Sequence, residues 1–247
     1  MVFGYSKRCA APGLLGFVLM MSIHSNAGAP PPEREAMLEA IATSVRESRS
    51  YTGLEALAPR VMAAMAAVPR EEFVPPAYRH RAYDNTPLPI AAGQTISQPL
   101  IVALMTHLLD PQPDDVVLEV GTGSGYQAAV LSGLVKQVYG VEIVAELAAG
   151  AAAVLARLGY ANVTVRAGDG YAGWPEHAPF DAIVVTAAAP QIPPPLLQQL
   201  KPGGRLVIPV GEQHGYQELL LISVDENGQV SERAMLPVRF VPLTGER

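Results

Sequence analysis

Cysteine is almost absent: Cys9 is the only one in 247 residues. A single cysteine excludes an internal disulfide framework and any cluster of thiolate metal ligands. His80, His107, His177 and His214 do not fall at metal-ligand spacing either, so no metal is expected. Basic charge is also scarce. The chain has 17 Lys and Arg against 23 Asp and Glu, a formal net charge of -6. No basic run appears, which argues against an electrostatic grip on nucleic acid or on anionic membrane. Trp174 is the only tryptophan, and packing is its expected role. Long apolar runs are missing too. Residues 9–23 are mostly apolar but contain Pro12, and the run is short of the roughly 20 residues that cross a bilayer as a helix.

That short run has an informative setting. Lys7 and Arg8 precede it, and Ala27-Gly28-Ala29 follows it just before Pro30-Pro31-Pro32. A basic start, an apolar middle and small residues at the end, in that order, read as an export signal cut after Ala29 or a little earlier, after Ala27. The expectation is a periplasmic or secreted mature chain, with no cysteine and no membrane attachment after processing. The alternative is a start at Met37 and a cytoplasmic protein. The resulting organisation is a signal over 1–29, a linker and helix over 30–53, and one catalytic domain over 54–247, expected to be a monomer.

From residue 33 the chain has the texture of a globular protein. Residues 35–49 and 54–67 carry helical spacing, the second kinked or begun at Pro59, while 68–92 is rich in proline and aromatics and reads as extended segments and turns. Beyond residue 112, strand-like runs at 116–120, 137–141, 163–166, 182–185 and 205–210 alternate with helical stretches at 125–134, 145–158 and 193–200. Such alternation predicts an α/β fold, Rossmann-like, with a mainly parallel, doubly wound sheet. Runs at 219–224 and 238–241, with a turn signal at Asp225-Glu226-Asn227-Gly228, predict antiparallel strands at the end.

The first of the strands runs into a glycine-rich turn, VLEVGTGSGY over 117–126. A dinucleotide fingerprint needs a third glycine where Tyr126 stands, so a nicotinamide-dependent oxidoreductase is disfavoured. Small residues at Gly121, Thr122, Gly123 and Ser124 still let backbone approach a ligand closely. Glu119 would repel a phosphate and attract a sulfonium or ammonium. Glu142 closes the next strand, where a carboxylate can accept from ribose hydroxyls, and Asp169-Gly170 follows the third. Three acids at neighbouring strand ends suit a cationic, ribose-bearing ligand such as S-adenosylmethionine. Each acid taken alone could instead cap a helix.

These residues lie within longer blocks: AVPREEFVP at 67–75, AYDNTPLPIAAGQTISQP at 82–99, GDGYAGWPEHAPFDAIVVTAAAP at 168–190, LKPGGRLVIPVG at 200–211 and VRFVPL at 238–243. In them the chain closely resembles the protein-L-isoaspartate O-methyltransferases, over about residues 54–243, with Thr95-Ile96-Ser97-Gln98-Pro99 as the specific part. The resemblance implies a class I methyltransferase fold and transfer of a methyl group from S-adenosylmethionine to the free α-carboxyl of L-isoaspartyl residues in damaged proteins and peptides. The ester then closes to a succinimide whose hydrolysis regenerates some aspartate. It also implies that Ser97 is the active-site residue. Read without it, Ser97 is a helix N-cap ahead of Pro99, its hydroxyl and the following amides able to face a carboxylate. Thr95, Ile96, Asp84 and Val210 are candidate substrate contacts; Asp84 is as well explained by a turn and Val210 by a strand end. The nucleophile is ionised at neutral pH, so the chemistry needs no general base. Ala91-Ala92-Gly93 stands where the family has more glycine. A non-enzymatic exported binder of damaged peptides, or methylation of another substrate on this fold, are the alternatives.

Overall fold

The computed structural model describes Met1 and residues 32–212 and 215–246, so the export segment read over 1–29, apart from Met1, lies outside the described residues. Helices α1 (Pro32–Glu47), α2 (Arg49–Thr52) and α3 (Pro59–Ala67) come first. A two-stranded antiparallel ribbon follows, β1 (Leu88–Pro89) with β2 (Thr95–Ile96), and then α4 (Pro99–Leu109). The remainder builds one sheet: β3 (Val116–Val120), α5 (Tyr126–Ser132), β4 (Gln137–Glu142), α6 (Ala145–Arg157), β5 (Val163–Ala167), β6 (Phe180–Val185), α7 (Pro194–Gln198), β7 (Leu200–Gly211), β8 (Gln217–Val224) and β9 (Val230–Val238).

The strand order is β5-β4-β3-β6-β7-β8-β9, parallel from β5 through β7 and antiparallel for β8 and β9. Both faces of the central strands are covered, which is why they read as unbroken apolar runs. Val117, Val138, Ala182, Val184 and Val207 share a core with α1, α3, α4 and α5, while Leu118, Val120, Val141, Ile183 and Leu206 share a second with Trp174, Phe180 and Leu196. The order of strand addition reverses at β3, with β4 and β5 laid down on one side of it and β6 and β7 on the other, leaving a crevice at the carboxyl ends of β3 and β6. Ligands of open α/β sheets bind at such a point.

One expectation changes. The last strand occupies Val230–Val238 instead of 238–241. Its first five residues are exposed, because an edge strand with water on its outer side carries polar side chains and loses the apolar signal. Residues beyond it take another role: Ala188 donates to the Val241 carbonyl (2.8 Å), and Leu243 donates to Ala188 (2.7 Å). The helix that precedes residue 54 packs with the rest of the chain. Met37, Ile41 and Val45, one face of α1 at intervals of four, are buried in the same core as α4 and the sheet.

Candidate active site

A cleft lies at the carboxyl ends of β3 and β4, walled by residues 94–97 on one side and 241–244 on another. Its floor is the glycine turn. Gly121, Gly123 and Gly125 have φ of 88°, 54° and 88°, a left-handed backbone that favours glycine. A Cβ on Gly121 would also lie 2.7 Å from the Thr186 hydroxyl oxygen. That hydroxyl donates to the carbonyls of Val120 and Gly121, tying the turn to the end of β6.

Glu142 holds the turn from the other side. One carboxylate oxygen accepts from the Gly123 amide (2.8 Å) and the other from the Val144 amide (2.9 Å). Each oxygen retains acceptor capacity for a ligand. Glu119 is different. It is fully buried, and neither of its oxygens, nor the Thr122 hydroxyl close by, has a hydrogen-bond partner among the described residues. Burial pushes its carboxyl up to about 8; the nearby Thr122 hydroxyl opposes the rise, the Glu142 charge adds to it by less, and the Ala128 amide opposes it least. No cation of the protein pairs with it among the described residues.

Most of the site expected from sequence comes together. Thr95, Ile96, Ser97, Glu119, Gly121, Thr122, Gly123, Ser124, Glu142 and Gly170 all line the cleft. Asp169 does not. Its carboxylate caps the turn that follows, accepting from the Tyr171 amide (2.9 Å), and also accepts from the Glu246 amide (2.6 Å), leaving Gly170 to face the cleft. Asp84 and Val210 are also outside it. Asp84 pairs with Arg81 at 2.8 Å, one turn away on the same loop, and Val210 is held between Glu218 of β8 and Ala189.

Ser97 is in the cleft for a reason other than capping. The N-cap of α4 is Gln98, and the Ser97 hydroxyl makes no hydrogen bond among the described residues. Beyond Gln98, the amides that follow are committed within the protein. Pro99 has none, Leu100 donates to the Asn85 side chain (3.0 Å), and Ile101 and Val102 donate to the Gln98 carbonyl. Asn85 and Thr186 thus carry structural roles that the sequence reading missed. Asn85 adjoins Asp84 in the block over 82–99, and the position of Thr186 just after a parallel strand was the signal for it.

A family model described as Protein-L-isoaspartate(D-aspartate) O-methyltransferase (PCMT) matches residues 47–247. The chain belongs to this family. Protein-L-isoaspartate O-methyltransferase 1 of Cupriavidus necator is 56% identical over 232 residues, 94% of this chain and 90% of that protein. Protein-L-isoaspartate O-methyltransferase 2 of Polaromonas sp. is 60% identical over 211 residues, 85% of this chain and 100% of that protein. Among solved structures, a protein-L-isoaspartate O-methyltransferase superposes with a TM-score of 0.74 at 29% identity, covering 86% of this chain and 66% of that one. A Plasmodium falciparum protein described as a beta-aspartate methyltransferase, in complex with S-adenosyl-L-homocysteine, gives 0.68 at 26% identity, covering 85% and 98%.

The cleft fits the S-adenosylmethionine of this methyltransferase family on its own chemistry. Glu119 offers two unpartnered buried carboxylate oxygens to a cation, Glu142 has spare lone pairs for a ribose diol, and the glycine turn leaves space for close approach. Ala92 adopts φ 55°, a conformation that is strained for a residue with a Cβ.

Proposed function

We propose that this chain transfers the methyl group of S-adenosylmethionine to the free α-carboxylate of L-isoaspartyl residues in proteins and peptides, with Ser97 placing that carboxylate. One observation carries the placement. A second groove, bordered by Leu100, Ile101 and residues 236–241, joins the cofactor cleft at Thr95, Ser97, Thr186 and Val241, which line both. A peptide in the groove and a cofactor in the cleft would therefore meet at Ser97.

The cofactor, when bound, supplies a methyl group on a sulfonium, and the protein supplies position. A carboxylate with a pKa of about 3.5 to 4 is ionised at neutral pH, so no base has to act. The titratable side chains lining the cleft are Glu119, Tyr126 and Glu142, none with the character of a proton shuttle toward an ionised nucleophile. Ser97, with its hydroxyl uncommitted, donates to the carboxylate, and Thr95 adds a second hydroxyl beside it. Holding the reacting oxygen in line with the methyl group is where the rate comes from.

Ser97→Ala is expected to lower the single-turnover rate about 10- to 100-fold while sparing cofactor affinity and thermal stability, because it removes one orienting hydrogen bond made only to substrate. Normal turnover with a stability loss would return Ser97 to a structural role. The assay for the function as a whole uses labelled S-adenosylmethionine with matched isoaspartyl and aspartyl peptides; equal labelling of the two, or labelling of neither, refutes the assignment.

The reading extends to address and assembly. Residues 1–29 act as an export signal, and the mature protein works as a monomer in the periplasm or outside the cell, engaging neither nucleic acid nor membrane. What supports this is the order of Lys7-Arg8, the apolar run and Ala27-Gly28-Ala29, together with the acidic balance of the chain. Cell fractionation with N-terminal sequencing is expected to give a periplasmic chain beginning near residue 28 or 30. Recovery in cytosol of a chain beginning at Met1 or Met37 would overturn it.

A further inference from the structure

The block AVPREEFVP contains a charge that the chemistry above does not use. Arg70 has 0% exposure and no carboxylate partner among the described residues. Its Nε donates to the Ala82 carbonyl (2.8 Å), its Nη2 donates to the Ser97 carbonyl (2.7 Å), its Cζ lies 4.6 Å from the centre of the Tyr126 ring, and Nη1 has no partner. A buried cation satisfied only by neutral groups is costly, and an apolar side chain of similar volume would serve stability as well or better. Burial disfavours its charge, yet a guanidinium stays ionised throughout the range of protein function.

The three groups it touches explain its retention. Ala82 and Ser97 bound the segment that carries the β1–β2 ribbon and Thr95, a stretch with few backbone bonds of its own. Tyr126 opens α5 directly after the glycine turn and itself lines the cleft. One rigid fork therefore closes the substrate-side segment at both ends and stacks it against the cofactor-side helix. Only a planar group with diverging donors can do all three at once.

We propose that Arg70 is a positioning residue for methyl transfer, fixing the Ser97 peptide relative to the start of α5 and so setting the distance between substrate carboxylate and methyl group. This rests on the assignment of Ser97 given above. Arg70 touches neither substrate nor cofactor; it acts through Ser97 and Tyr126.

The test compares wild type, Arg70→Lys and Arg70→Met. Four quantities are measured on each: thermal stability, cofactor affinity by calorimetry, KM for an isoaspartyl peptide, and single-turnover rate per cofactor-binding site at saturation. Arg70→Met is expected to lower that rate about 100-fold, the scale of an ångström of misplacement, with cofactor affinity changed less than about threefold. Arg70→Lys, which keeps the charge but not the fork, is expected to recover about tenfold of the loss. Amide hydrogen exchange in residues 82–97 of the cofactor-free variants should rise in the same order. A wild-type rate per site in either variant, with the loss confined to stability, overturns the proposal. If Arg70→Met yields no folded protein, Arg70→Lys decides by the same criterion. Failure of wild type to methylate the peptide would refute the functional assignment instead, so the two failures are distinct.

Discussion

Glu142→Ala is expected to weaken S-adenosylmethionine binding at least about 100-fold, or ~2.8 kcal/mol, and to lower the melting temperature in the absence of cofactor. Two effects add. The carboxylate is placed to accept from a ribose diol, and charge-assisted hydrogen bonds of that kind contribute about 1.5 to 3 kcal/mol each. It also holds the amides of Gly123 and Val144, so its loss leaves two backbone donors without their acceptor and loosens the turn that the cofactor must find preformed. A carboxylate that only touched ligand would leave the empty protein unchanged; this one does not. Glu142→Gln should fall between, because the amide keeps one acceptor oxygen and turns its NH2 toward a donor. Calorimetry and thermal melts on both variants are the measurement, and unchanged affinity in Glu142→Ala would remove the residue from the site.

Glu119 is expected to make both stability and cofactor affinity depend on pH, in opposite senses. In the folded, cofactor-free protein its carboxyl is pushed up to about 8 from an ordinary 4.5. Between those values the native chain keeps a proton that the unfolded chain has released. The stability associated with the neutral carboxyl is therefore fully present below about pH 4.5 and is lost as pH rises toward about 8, with a slope of at most about 1.4 kcal/mol per pH unit. Glu119→Gln should abolish that slope, and the wild-type minus variant difference in denaturant unfolding isolates it from other groups. A sulfonium next to Glu119 favours the carboxylate, so cofactor binding below about pH 8 should release a proton and strengthen by up to about tenfold per pH unit until it levels off. Calorimetry in two buffers of different ionisation heat counts that proton. The rate at saturating cofactor should stay flat over the same range, while the rate at low cofactor climbs. No proton release at pH 7 would show that Glu119 does not face the cation. S-adenosylhomocysteine, whose sulfur is uncharged, should show a weaker dependence if the sulfonium is what Glu119 senses.

The sheet was readable because its central strands are buried on two faces: Val117 and Leu118 pack into different cores, so a continuous apolar run could be nothing else. β9 was misplaced for the converse reason, an edge strand being half solvent in composition. The glycine turn was legible since its backbone demands glycine at 121, 123 and 125 whatever surrounds it. Glu119 and Glu142 were legible as acids at strand ends, and both line the cleft there.

What sequence could not give is how each polar group divides its hydrogen bonds between protein and ligand. Asp169 has the same chain context as the other two acids, but it lies outside the cleft, its carboxylate turned to the amides of Tyr171 and of Glu246, 77 residues away. Asp84 and Asn85 are neighbours, yet one makes a surface ion pair and the other caps α4. Ser97 reads as a cap, but Gln98 holds the N-cap position and the capping side chain comes from Asn85. Arg70 reads as one more charged residue in a polar block, and it is buried at the junction of both halves of the site. Local sequence by itself determined the sheet, the turn and the residue types the reaction requires, because period, burial and backbone conformation are properties of short segments. The tertiary structure alone decided which donors meet which acceptors, because that depends on side chains brought together from distant parts of the chain, where a hydrogen bond made within the protein is one no longer available to substrate or cofactor.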